Sequence, residues 1–188
     1  MLKILCRKRR KWLGAQKRAP QTRGKGVMLV KGLRFDAGEA QVRTFILRLR
    51  PGTDLMEGIR AFCEERGIRS GAITTLLGSL RQVRYVYPVV APGTRAGLKY
   101  CDPIVVEGPI EMLCGAGTIG VMKSDGTTVV HLHAAFTDPK GRVLGGHLLE
   151  GGGAVAVTAE VVIDALDGVS LTRAVDGETD MPLFSLGD

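Results

Sequence analysis

The sequence predicts an α+β protein: a mostly antiparallel β-sheet of roughly seven to nine strands with one main helix, in a compact domain. Three observations carry this expectation. Apolar residues recur at period two, or run unbroken for a few residues, along most of the chain beyond residue 27. A single segment, residues 54–67, has a helical apolar stripe with a stop or start signal at each end. Finally, 26 glycines among 188 residues provide the turns and close strand contacts of a sheet-rich fold. Hydrophobic residues make up 45% and charged residues 24%, ordinary proportions for a globular domain. With aromatics at 5%, the core must be aliphatic.

Residues 1–26 are basic, contain Gly14, Pro20, Gly24 and Gly26, and lack apolar periodicity, so they read as a disordered tail. The ordered domain is expected over residues 27–170, starting with a strand near Val27–Val30, and residues 171–188 form a C-terminal extension. Val42–Leu49 puts Phe45, Leu47 and Leu49 on one face and reads as a strand that Pro51-Gly52 ends. Asp54-Leu-Met-Glu57 has the form of a capping box, and Leu55, Ile59, Phe62 and Cys63 form the stripe of the helix behind it. Gly67 stops that helix. Ile68–Leu80 and Arg81–Val90 read as two strands, and Ala91–Gly97 as a loop. Ile104–Val121 reads as two short strands divided by Gly108-Pro109 and Gly115–Gly117. Lys123–Gly126 is a turn, a hairpin occupies residues 129–150, and Ala154–Ile163 closes the sheet. Pro182 and Gly187 point to a loose C-terminus.

The net charge of +7 is unevenly distributed. The first 31 residues hold 11 of the 26 Lys and Arg and no acid, which leaves 15 bases against all 19 acids in the mildly acidic remainder. Such a tail can neutralise phosphates, and Arg7, Lys8, Arg9, Arg10 and Lys11 are its densest run, the candidate DNA-contacting residues. The four cysteines, Cys6, Cys63, Cys101 and Cys114, are scattered without a Cys-x-x-Cys pair. They fit reduced thiols in a cytoplasmic protein better than a zinc knuckle or a disulfide framework. No run of about 18 apolar residues is present, so no membrane partner is expected.

The chemistry concentrates in the hairpin. The chain has three histidines, His131, His133 and His147, and all lie within it. Asp138-Pro139-Lys140-Gly141 suits a type I turn followed by a glycine bulge, a three-residue hairpin loop. That register sets His133 opposite His147, with His131 on the same face; a plain four-residue loop would turn His147 to the other face. Three imidazoles on one face suit a divalent metal, zinc first, and leave an open position for water or a small anion. Glu150 is a candidate base at the strand end, and Gly145-Gly146 with Gly151–Gly153 could admit a ligand close to the backbone. Arg69, Arg81 and Arg84 read as solvated surface residues that could also hold an anion. The competing reading is that the histidines pack at an interface or bond one another.

Several segments together resemble the plant-and-prokaryote-conserved (PPC) domain. They are Leu49-Arg-Pro-Gly-Thr-Asp-Leu, Gly67-Ile-Arg-Ser-Gly-Ala, Gly78-Ser-Leu-Arg, Gly108-Pro-Ile-Glu-Met-Leu113, Gly117-Thr-Ile, His131-Leu-His133 and Asp138-Pro-Lys-Gly-Arg-Val-Leu-Gly-Gly-His147-Leu-Leu-Glu-Gly. The resemblance spans about residues 28–165 and is carried by the order of its motifs. It implies a compact α+β domain of the stand-alone prokaryotic type, a homotrimer, and a DNA-binding or regulatory label borrowed from plant members that carry AT-hooks. It also implies a metal at His131, His133 and His147 in some members. An AT-hook has an Arg-Gly-Arg-Pro-like core, whereas this chain has Arg23-Gly24-Lys25-Gly26. Three readings follow: a DNA-associating module acting through its tail, a metal-dependent site or enzyme for a small molecule, and a trimeric assembly module without catalysis.

Overall fold

The computed structural model of the chain describes residues 28–30 and 33–186. One helix, α1 (Leu55–Glu65), accompanies strands β1 (Met28–Val30), β2 (Leu33–Phe35), β3 (Gln41–Leu49), β4 (Gly71–Val86), β5 (Pro88–Val90) and β6 (Leu98–Tyr100). They are followed by β7 (Ile104–Met122), β8 (Thr128–Thr137), β9 (Val143–Leu148), β10 (Val155–Asp167), β11 (Leu171–Val175) and β12 (Pro182–Leu186). Eight strands form one sheet in the order β12-β11-β7-β8-β9-β4-β10-β3, and β7 also pairs with β4, closing β7, β8, β9 and β4 into a ring. Every pairing is antiparallel except β11 with β7. Two further ribbons, β1–β2 and β5–β6, stand apart. The predicted α+β class with a mostly antiparallel sheet and one main helix is the observed one. The tail and its basic run, Arg7 to Lys11, lie outside the described residues.

Helix α1 forms where its caps allow. Asp54 accepts hydrogen bonds from the N–H groups of Met56 (3.0 Å) and Glu57 (3.1 Å), and Gly67 leaves the helix at φ +65°. The capping box is only half made: Glu57 pairs with Arg60, and the second Asp54 oxygen instead accepts from Gly153 N–H at 3.2 Å. Leu55, Met56, Ile59 and Cys63 face inward onto the sheet, where Leu76, Leu80, Ile110, Ile119, Leu132, Phe136, Val161 and Ile163 complete an aliphatic core. Burying each such side chain contributes about 1.5–3 kcal/mol. Along β8 the two faces separate cleanly: Val130, Leu132, Ala134 and Phe136 point to the core, and His131 and His133 to the opposite face.

Four expectations need correction. Ile68–Leu80 and Arg81–Val90 do not divide at residue 80; β4 runs on to Val86, irregular near Arg81, whose N–H donates to the Ala154 carbonyl, and only Pro88–Val90 is separate, as β5. Likewise β7 is one 19-residue strand that continues through Gly108-Pro109 and Gly115–Gly117, with a bulge between Met112 and Cys114. The C-terminal segment is not loose either. β11 and β12 form a hairpin added to the sheet beside β7, because Leu171 N–H bonds the Ser70 hydroxyl (3.0 Å) and Thr172 lies opposite Val121. Gly187 lies outside the described residues. Ala154–Ile163, expected to close the sheet, falls largely in β10, which lies inside it with β3 at its edge.

Candidate metal centre

The hairpin turn sets the geometry. Gly141 N–H donates to the Asp138 carbonyl (2.9 Å), Asp138 N–H donates to the Arg142 carbonyl (3.1 Å), and Gly141 takes φ +75°. This is the three-residue loop with its glycine bulge. The buried Asp138 carboxylate holds it together, accepting from Lys140 N–H (2.9 Å), Arg142 N–H (2.9 Å) and Arg142 Nε (2.7 Å). Burial alone would raise the pKa of Asp138; the bonds from Arg142 and Lys140 outweigh it and hold the group below the usual carboxylate range.

The ladder then pairs Thr137 with Val143 and His133 with His147, as the turn predicts. The three ring ligand atoms lie within 4.8 Å of one another. His131 Nε2 is 3.0 Å from His133 Nε2, and His147 Nδ1 is 3.3 Å from the same atom. A tetrahedral zinc with nitrogen ligands at about 2.0–2.1 Å requires ligand separations of about 3.3 Å; the two pairs that share His133 lie close to that value, and the third lies within 4.8 Å. Burial, then the neighbouring His147 and Arg173 charges, lowers the His131 pKa from 6.5 to about 4; burial and the His133 charge do the same for His147, to about 4. Both rings are therefore neutral at pH 7, the form that ligates a metal.

The surroundings come from elements the sequence reading left out. Tyr100 on β6 packs on His147, with ring centroids 5.4 Å apart. Phe184 on β12 stacks on His131 at 6.2 Å and 29°. The Arg173 guanidinium on β11 lies over Phe184 at 5.5 Å, half-buried. Only the aromatic and cationic residue types of this tract could have signalled these neighbours. Glu150 is exposed in a turn and belongs to no ligand group. The glycines near His147 are filled by protein: a Cβ on Gly145 would press on the Ala134 carbonyl (2.7 Å), and one on Gly146 on the Tyr85 ring (2.9 Å). Arg69, Arg81 and Arg84 are exposed. Two concavities, one lined by Arg43, Arg69 and Asp167 and one by Tyr85, Glu107 and Arg142, contain no histidine. Cys63, Cys101 and Cys114 are free thiols, and burial pushes the Cys63 thiol up to about 11. No described helix is long and apolar enough to cross a membrane.

A single helix under a ring-closed, mostly antiparallel sheet is an architecture that solved structures share. The sequence pattern of the Plants and Prokaryotes Conserved (PCC) domain matches residues 37–167, and the chain belongs to that family. The metal-containing protein AF0104 of Archaeoglobus fulgidus has a similar structure, with a TM-score of 0.68 and 28% identity over 80% of this chain and 99% of that one. A plant- and prokaryote-conserved (PPC) protein of Pyrococcus horikoshii is similar at TM-score 0.66 and 26% identity, covering 80% and 97%. The bifunctional protein GlmU of Synechococcus sp. (strain JA-3-3Ab) is 32% identical over 130 residues, 67% of this chain. The chain spans only 18% of that relative's length.

Proposed function

We propose that the protein is a PCC-domain module whose His131, His133 and His147 hold a divalent metal, zinc by preference. The single observation that carries this reading is the convergence of three imidazoles, with His133 Nε2 3.0 Å and 3.3 Å from the ring nitrogens of His131 and His147. Neutral histidines in such a cluster repel through their lone pairs unless a proton or a cation lies between them. The similar protein from Archaeoglobus fulgidus is named as metal-containing. With three protein ligands, zinc retains an open position that would polarise a bound water or oxygen ligand. Elemental analysis of untagged protein tests the proposal. One divalent ion per chain in the wild type and none in His133→Ala are expected; an empty wild type refutes it.

One feature supports an assembly role around this centre. Val42, Ile46 and Leu77 are 54%, 85% and 46% exposed on the sheet face opposite α1, an apolar surface that self-association would cover. We propose the homotrimer that the family resemblance implies. The basic run Arg7 to Lys11 supports DNA contact through phosphates in a DNA-associating module, with the domain at residues 27–170 as the body and 171–188 as its extension. Gel shifts at increasing salt test it: binding lost on removing residues 1–26 supports the tail, and no binding at low salt by either form rules it out. Free thiols fit a cytoplasmic setting.

A further inference from the structure

We infer that Arg173 makes the histidine site a receptor for a small oxyanion, the carboxylate or phosphoryl group of a compact ligand. The inference rests on the metal reading above and adds the ligand class. Its basis is the C-terminal hairpin, which lies beyond the family-matched residues 37–167. Arg173 on β11 lies opposite Met122 of β7 and Phe184 of β12, so the hairpin delivers both side chains to the histidine face. Gly120 makes this possible: a Cβ there would collide with the Phe184 ring and the Leu171 carbonyl.

The charge balance is unusual at this point. Among the described residues, every arginine other than Arg173 is either exposed or paired with an acid. Arg173 is half-buried and has no carboxylate within ion-pair distance among those residues. A desolvated guanidinium without a counter-charge is costly, and a bidentate oxyanion is its best-matched partner. The histidine group contains no carboxylate either. With a dication on three neutral imidazoles and Arg173 beside them, the local charge is positive and unbalanced. An anion with two oxygens satisfies both: one oxygen toward the open metal position, another toward the guanidinium. Tyr100, packed on His147, and Phe184, packed on His131, wall the position with rings and favour a compact ligand.

The test uses cobalt(II) in untagged, metal-free, full-length protein, read by its visible absorption bands, with inorganic phosphate and acetate titrated in separate arms. The expected result is a spectral shift on anion addition in the wild type. In Arg173→Gln cobalt affinity is unchanged, and the anion dissociation constant rises about 10- to 100-fold, as for loss of a charge-assisted hydrogen bond. Arg173→Lys, which retains charge but not the fork, weakens the anion several-fold and serves if the glutamine variant misfolds. A response to phosphate alone identifies a phosphoryl ligand, and to acetate alone a carboxylate. If the cobalt bands form but neither anion shifts them, or both variants bind anion as the wild type does, the inference is overturned while the metal reading stands. If no cobalt bands form in the wild type, the metal reading falls and the inference falls with it.

Discussion

His133 is the hinge of the site, because its Nε2 lies within 3.3 Å of both other ligand atoms. Even indirect support residues change metal affinity about 10- to 100-fold, so His133→Ala should weaken zinc binding by at least that factor, as measured by competition with a chromophoric chelator. Protonation makes a second prediction. The folded-state pKa values of His131 and His147 lie near 4, below the ordinary 6.5. Between pH 6.5 and about 4, the unfolded chain binds protons that the folded chain refuses, so stability falls as pH drops through that window and is fully present above it. Urea midpoints of metal-free protein should decline across this range, and the decline should shrink in a His131→Gln, His147→Gln double variant. An equal decline in both proteins would show that the two rings are not the cause.

The hairpin and the C-terminal ribbon differ in how far the sequence discloses them. The pairing of His133 with His147 depends on five adjacent residues, Asp138 to Arg142, whose turn chemistry is local, and so it was readable without the structure. Arg173 reaches the histidines through parallel pairing of β11 with β7, some fifty residues earlier, and no local pattern encodes such a contact. The sequence of β7 reads as two strands for a related reason: Gly115 and Gly117 resemble breaks, yet they serve close strand contact. A Cβ on Gly117 would strike the His131 carbonyl. Two substitutions test the turn. In Gly141→Ala nothing lies within 4 Å of the new methyl, so the cost is conformational only, about 1–2 kcal/mol. That should lower the Tm by a few degrees while zinc binding persists. In Asp138→Ala, Lys140 and Arg142 lose their acceptor and the register loosens. Thermal stability and zinc affinity should then fall together, and unchanged zinc affinity would show that the carboxylate does not set the register.

The whole molecule pairs a dense aliphatic core with an outer sheet face that carries both apolar residues and the histidines. Thr44, Asp164, Ala72, Thr118 and His131 lie in register across five strands, so the exposed Ile46 and the histidine cluster share one face. If that face assembles, light scattering should give three times the 20.1 kDa chain mass, and Ile46→Glu should shift the mass toward the single chain. A monomer in the wild type at working concentration would remove the trimer. The account depends most on whether a metal lies among the three rings. Crystals of untagged protein, with diffraction collected on both sides of the zinc absorption edge, answer this directly. The predicted result is one anomalous peak per chain, about 2.0–2.1 Å from nitrogens of His131, His133 and His147. Fully ordered imidazoles bonded only to one another, with no anomalous peak in zinc-supplemented crystals, would contradict it.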